Sequence, residues 1–412
     1  NNAAPASAEA MQQQVAQLAG LRSVASTLEW FLQHREELLN SQVELAQIPA
    51  PPFGESARSE WLRQRFVSAG LEDVHIDEIG NVLGTRWGTN PNAKFLALTA
   101  HVDTVFPAGT PVEVRRQGER VYGPGVSDNA AGVAALLALA EGMKAAQVET
   151  EAPLLFIGNV GEEGEGDVRG MRHIFATPKL RDAIAYTMVL DGAGTDTIIT
   201  EALGSKRFVV TVRGPGGHSW SDFGVPNPIM VLSRALELFR RTHIPSSPKT
   251  TFNVGVISGG TSVNSIPESV SMRVDIRSVS STEVDRLERA LRDALDQAIK
   301  GESPYSGGRR NGNLQYEMNL IGSRPAARLK TDSRMLTAIR AVDSFLGNKA
   351  RMQRASTDAN IPISLGYEAF AIGAGGSGGG AHTVQEWFDA GGREFGLKRI
   401  LLTALMLAGV RE

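Results

Sequence analysis

The stretch "APLLFIGNVGEEGEGDVRG" (residues 152–170) begins as a continuous apolar run and then passes into two adjacent glutamates, Glu162 and Glu163, set among glycines. An unbroken apolar run of this length predicts a strand covered on both faces. Similar runs occur at "KFLALTA" (94–100) and "AYTMVLD" (185–191), and they alternate with helical patterns such as the Ala/Leu run 130–145. That alternation predicts an α/β fold: a mostly parallel sheet with helices on both faces. Upstream, Val15, Leu18, Leu21, Leu28, Phe31, Leu32 and Leu38 recur at helical spacing between about Gln12 and Gln47. In such a sheet ligands bind beyond the carboxyl ends of the strands. The two glutamates fall just past one of those ends.

Between residues 203 and 322 the pattern changes. "KRFVVTVRG" (206–214) reads as a strand, "NPIMVLSRALELFRRTH" (227–243) as a helix, and "TTFNVGVISG" (250–259) and "SVSMRVDIRS" (269–278) as strands. A helix over 281–300 and a strand "LQYEMNLIG" (314–322) complete a β-α-β-β-α-β order, the ferredoxin-like α+β unit. Its second helix carries a capping-box pattern, Ser280 with Glu283, ahead of Val284, Leu287, Leu291 and Leu295 on one face. A helix near 396–409 closes the chain. The sequence therefore predicts one discontinuous α/β domain, 1–202 with 323–412, interrupted by a smaller domain, 203–322. A length of 412 residues agrees with two cores, since single cores stop growing near about 250–300 residues.

Composition narrows the chemistry. A net charge of -3 without a basic stripe argues against a nucleic-acid partner. No apolar run reaches the roughly 18 residues of a membrane span, so no membrane partner is expected. With no cysteine, disulfides, thiolate nucleophiles and Cys-ligated metals are excluded, leaving histidine and carboxylates as the strong metal ligands. The small, polar start "NNAAPASAEA" suggests either a mature end after signal-peptide cleavage or an arbitrary boundary, and export to the periplasm or outside is expected over a cytoplasmic location.

Several elements deliver ligand-type side chains to the same sheet edge. "FLALTAHVDTVF" (95–106) ends its strand at His101 and Asp103, "TMVLDGAG" (187–194) ends at Asp191, and "GVSDNAAG" (125–132) places Asp128 at a helix start. His382 follows the glycine-rich loop "GAGGSGGGAHT" (373–383). Taken singly, a His-x-Asp is usually structural, paired glutamates are usually a solvated face, and an aspartate after a strand is usually a turn or cap residue. Converging on one edge, they point to a metal centre.

The motifs "HVDTV", "GPGVSDNAAG", "GEEGEGD", "VLDG", "GGHS", "GGTSVNSIP", "STDA" and "GGAHT", in this order after residue 40, give a chain that resembles a known family. These are the co-catalytic zinc aminoacylases and exopeptidases that include peptidase T, bacterial folate-cleaving glutamate carboxypeptidase, succinyl-diaminopimelate desuccinylase and acetylornithine deacetylase. The resemblance implies two zinc ions, replaceable by cobalt or manganese, with Asp128 bridging them. His101 and Asp191 would complete one ion, and Glu163 and His382 the other. It further implies Glu162 as catalytic base, Asp103 as the partner that orients His101, and a cis peptide after Asp128. His218 and Asn264 match positions that reach across a homodimer, formed through the inserted domain, to a tetrahedral oxyanion. Thr357 matches a further substrate contact.

Within the inserted domain, strand alternation puts Val270, Met272, Val274 and Ile276 under the helices and Arg273, Asp275 and Arg277 on the other face. Arg277 and Arg324 are candidates to clamp a substrate carboxylate, with a surface ion pair as the alternative for each. Two other motifs carry less. "GGSGG" (375–379) fits a nucleophile elbow at Ser377, but the histidine and acid follow in the wrong order. "GAGGSG" (373–378) fits a dinucleotide fingerprint but opens no βαβ unit, so a flexible loop bringing His382 to metal is expected. The expected function is an exopeptidase, of di- or tripeptidase or carboxypeptidase type, cleaving an amide beside a free carboxylate in short peptides or N-acyl amino acids. An N-acyl-amino-acid deacylase or desuccinylase and a non-catalytic dimeric relative are the alternatives.

Overall fold

The structure, a computed structural model, describes residues 8–302 and 314–411, so the reading of residues 1–7 lies outside the described residues. The chain divides into two compact units, Asn1–Ala202 with Arg328–Glu412, and Leu203–Ala327. The last strand of the inserted unit runs Gln315–Arg324, beyond residue 322, because its pairing with Gly204–Arg213 continues to Ser205 opposite Arg324. Arg324 thus belongs to the inserted unit, and the chain re-enters the larger one at Arg328.

In the larger unit the central sheet runs in the order Glu72–Ile76, Val82–Arg86, Leu154–Asn159, Phe95–His101, Ile184–Leu190, Glu368–Ile372, Thr197–Ala202. The four strands from Leu154–Asn159 to Glu368–Ile372 are mutually parallel; Val82–Arg86 and Thr197–Ala202 join them antiparallel on either side, and Thr197–Ala202 also pairs in parallel with Arg351–Ala355. The apolar runs have the physical cause expected of them. In Leu154–Asn159, Leu154 and Phe156 enter one core with the helices Ala130–Ala145 and Arg393–Ala408, while Leu155 and Ile157 enter another with Met171, Ile174 and Phe175. Residues 12–47 form three helices, Ala8–Gly20, Arg22–Gln33 and Arg35–Ala46. Among the described residues no helix is long and apolar enough to cross a membrane.

The inserted unit holds an antiparallel sheet in the order Thr250–Gly259, Ser269–Ser278, Gly204–Arg213, Gln315–Arg324. The helices Pro228–Arg240 and Ser281–Glu302 pack on it through Val231, Leu232, Leu287, Leu291 and Leu295, against Val270, Met272, Val274 and Ile276. The capping box is half formed. Glu283 N–H donates to Ser280 Oγ at 3.4 Å, but the Glu283 carboxylate turns to Arg286. A short ribbon, Gly217–His218 with Ser265–Ile266, is an addition that the periodicity does not suggest.

In the larger unit, the helices Arg334–Leu346 and Arg393–Ala408 are joined by a buried two-pronged pair. Arg399 Nε donates to Asp343 Oδ1 at 2.6 Å, and a second guanidinium nitrogen donates to Oδ2 at 2.8 Å. Removing one partner strands a buried charge. Asp343→Asn is expected to cost about 3 kcal/mol, read as a lower denaturant midpoint; an unchanged midpoint would show the pair to be idle.

Candidate active site

The carboxyl ends of the four parallel strands lie level, with His101 opposite Asn159 and Leu190 opposite Ile372. Loops leaving those ends must bring their side chains together, and they do. Asp128, at the end of a turn before helix Ala130–Ala145, stands between two histidines. Its Oδ1 lies 3.1 Å from His101 Nε2, which is itself 3.7 Å from Asp191 Oδ1. Its Oδ2 lies 3.1 Å from His382 Nε2, which is itself 3.0 Å from Glu163 Oε1. Two triads therefore share one carboxylate. Donor atoms of His101, Asp128 and Glu163 all fall within 4.8 Å of one another, the spacing of a metal-binding cluster. Of the adjacent glutamates, Glu163 joins this group; Glu162 is also buried but stands outside it. The Asp128–Asn129 peptide is cis.

The electrostatics fit a cation. His101 Nε2 and Asp128 Oδ1 are buried without a hydrogen-bond partner, although 3.1 Å apart. Hydrogen bonds donated to the Asp128 and Glu163 carboxylates push the His382 pKa up to about 10. Burial opposes a charge on His101, yet Asp103, Asp128 and Asp191 outweigh it and raise its pKa well above 6.5. Burial likewise opposes ionisation of Asp128, but His101 and His382 hold its carboxyl well below the usual range. Burial raises Glu163. The donor set thus favours positive charge at its centre, on the imidazoles or as a bound cation. His/carboxylate donors of this kind suit zinc or a similar divalent ion.

Side chains from one loop hold the main chain of the next. Asp103 Oδ1 and Oδ2 accept from Glu162 N–H at 3.0 Å and Glu163 N–H at 2.8 Å. Asp103 also faces the His101 ring: its carboxylate lies 3.5 Å from His101 Nδ1, and its main-chain carbonyl is hydrogen-bonded to the same nitrogen at 3.1 Å. Asn129 Oδ1 accepts from Gly132 and Gly192 N–H, and its Nδ2 donates to Leu190 O, fixing the turn that carries Asp191. Arg58, buried beside Asp103 and Glu386, donates to the carbonyls of Ile48, Val102 and Ala46. Burial lowers its pKa to about 10, so it remains a cation near neutrality. Asp358, buried and raised to about 7 by that burial, accepts from Asn159 Nδ2 at 2.6 Å. Sequence reading missed Asn129, Asn159, Asp358, Arg58 and Glu386. Only Asn129, a cap-type residue before a helical run, carried a local signal.

The glycine-rich loop before His382 is not the flexible loop expected. Ser377–Gly379 pairs with Trp387–Asp389, and His382 sits in the hairpin turn at φ 66°. A Cβ on Gly378 would lie 2.4 Å from Ser127 Oγ, so this glycine permits the hairpin to lie against the Asp128 turn. Thr357 is buried; its Oγ1 accepts from Ala359 N–H at 3.2 Å.

The inserted unit assembles its own candidates. His218 and Asn264 meet at the short ribbon, where Ser219 N–H donates to Asn264 O and His218 pairs with Ser265. His218 Nδ1 accepts from Trp220 N–H at 3.1 Å, which makes Nε2 the donor of the neutral ring. Arg277 and Arg324 both pair with Ser205, so they share one row on the sheet face away from the helices. Arg277 Nε donates to Asp275 Oδ2 at 2.7 Å.

Comparisons with known proteins agree in direction. The sequence model of Peptidase family M20/M25/M40 matches residues 97–406. A probable carboxypeptidase of Ajellomyces dermatitidis is 29% identical over 272 residues, 61% of this chain and 59% of that protein. The chain thus spans about three fifths of that relative's length. A succinyl-diaminopimelate desuccinylase of Psychrobacter arcticus is 24% identical, over 65% of this chain and 71% of its own. The solved aminopeptidase PepT of Bacillus cereus superposes with a TM-score of 0.72 at 19% identity, covering 91% of this chain and 99% of its own.

A metal held by His101 and His382 would have to displace any protons they carry. With His382 near 10, each fall in pH below that value strengthens the competing proton, so metal affinity should rise with pH. Titrating zinc into metal-free protein at pH 7 in weakly buffered solution should release protons. Tight binding with no proton release would show that the imidazoles are neutral before the ion arrives.

Proposed function

The chain belongs to peptidase family M20/M25/M40, and we propose that it is a zinc-dependent hydrolase. It would cleave an amide bond beside a free carboxylate in short peptides or N-acyl amino acids. The observation that carries this reading is the shared carboxylate of Asp128, with Oδ1 3.1 Å from His101 Nε2 and Oδ2 3.1 Å from His382 Nε2. Two zinc ions would be held by His101, Asp191 and Asp128, and by His382, Glu163 and Asp128. Bound there, paired dications acidify water and polarise a carbonyl.

The remaining work belongs to the protein's own residues. Glu162, held through its main chain on Asp103, takes the proton of the attacking water and returns it to the leaving amine. His218 Nε2–H and the Asn264 amide donate to the oxyanion, acting across a homodimer. The row of Arg277 and Arg324 receives the substrate carboxylate, and the Thr357 hydroxyl is a further substrate contact. An exopeptidase of dipeptidase, tripeptidase or carboxypeptidase type accounts best for a clamp of this kind. An N-acyl-amino-acid deacylase or desuccinylase is the second reading, favoured by the desuccinylase relative.

Assay of zinc-loaded protein on dipeptides, tripeptides and N-acetyl or N-succinyl amino acids separates these substrates, and failure on all of them would sink the proposal. The twin substitutions Glu162→Gln and Glu163→Gln separate the roles. Glu162→Gln should lower kcat by about a hundredfold or more with zinc content unchanged. Glu163→Gln should lose zinc from one site and regain activity as zinc is added. The reverse pattern would exchange their assignments. Mixed dimers of His218→Ala and Glu162→Ala chains should recover activity; no recovery after verified subunit exchange would confine His218 to its own chain.

A further inference from the structure

Glu386 sits four residues past His382 on the same hairpin, and none of the roles above uses it. It is fully buried. Both carboxylate oxygens are taken up by main-chain donors of the turn that ends at Asp128. Oε2 accepts from Gly125 N–H at 2.7 Å, and Oε1 accepts from Ser127 N–H at 2.8 Å and Asp128 N–H at 2.7 Å. The Glu386 main-chain carbonyl accepts from Gly123 N–H at 2.9 Å, gripping the start of the same turn. Burying a carboxylate is costly unless its oxygens are satisfied, and here three donors satisfy them. A terminal ligand needs one oxygen placed, but Asp128 must place two at once, so an error in its main chain is felt in both triads.

We propose that Glu386 is a positioning residue for the metal centre. It sets the main chain at Asp128 so that one oxygen faces each triad, and it ties that setting to the hairpin bearing His382. The inference rests on the reading of Asp128 as the ligand common to two ions. Glutamine cannot replace this carboxylate: its single oxygen serves one side of the turn, and its NH2 would face an N–H donor on the other.

The test is a cobalt titration of metal-free protein, followed by visible absorption and paired with thermal unfolding. Glu386→Gln should weaken cobalt binding by about 10- to 100-fold, the usual cost of losing a group that orients a ligand, and change the absorption spectrum. Glu386→Asp keeps the charge but withdraws it by one methylene, and should fall between; it carries the comparison if the glutamine variant does not fold. Asp343→Asn, remote from the turn, should lower the unfolding midpoint while leaving cobalt affinity and spectrum at wild-type values. Wild-type cobalt affinity and spectrum in Glu386→Gln, with Asp128→Ala losing both ions, would overturn the positioning role alone. So would a loss of cobalt affinity that Asp343→Asn reproduces. Two tightly bound cobalt ions in Asp128→Ala would instead overturn the shared-ligand reading, and this proposal with it.

Discussion

Like-charge repulsion among Asp103, Asp128, Glu163 and Asp191 is the constraint that the surrounding structure answers. These carboxylates crowd around His101 and His382, with several oxygen-to-nitrogen distances near 3 Å. Positive charge at the centre, whether imidazole protons or a metal, makes the arrangement bearable. The rest of the answer is directional: carboxylates outside the two triads point at main-chain N–H groups. Asp103 is turned onto Glu162 and Glu163, and Glu386 onto Gly125, Ser127 and Asp128. The buried Arg58 guanidinium interacts electrostatically with both Asp103 and Glu386.

This arrangement also explains the parallel sheet. Level strand ends put four loops side by side, near enough for a side chain leaving one to reach the backbone of the next. Asn129 reaches Gly192 and Leu190, and Asn159 reaches Asp358. The main chain at Asp128, at Glu163 and beside Asp191 is thereby held by a loop other than its own. Helix Ala130–Ala145 contributes through tight packing. A Cβ at Gly132 would lie 2.5 Å from Leu190 O, so only glycine lets the helix start approach the strand that delivers Asp191.

Much of this was legible in the order of residues, because the signals were local. Continuous apolar runs marked strands buried on both faces, and the observed strands Phe95–His101, Leu154–Asn159 and Ile184–Leu190 coincide with them within a residue or two. The ferredoxin-like pattern marked the inserted unit down to the strand bounds at 250–259 and 269–278. His101, Asp103, Asp128, Asp191, His382 and the Glu162–Glu163 pair could be singled out as candidates because each stands at a recognisable strand end, helix start or glycine loop; the choice of Glu163 over Glu162 as a ligand came from the family resemblance.

What lay beyond the sequence was every relation set by distance in space rather than along the chain. Periodicity overran nothing at Arg324, but it could not say that sheet pairing continues there, since the partner Ser205 is remote in sequence. The glycines before His382 suggested flexibility, and only pairing with Trp387–Asp389 turns them into a hairpin. Asp103 read as a partner for the His101 ring, and nothing local showed that its carboxylate also holds the Glu162 and Glu163 main chain. Glu386 in "HTVQEW" has no local mark at all, because the three N–H groups that define it belong to residues 125–128. The sequence by itself determined which elements form and which candidate ligands stand at their ends, since side-chain period and strand-end chemistry are local. Only the tertiary structure decided how those ligands are aimed, since a hydrogen bond depends on where two loops meet.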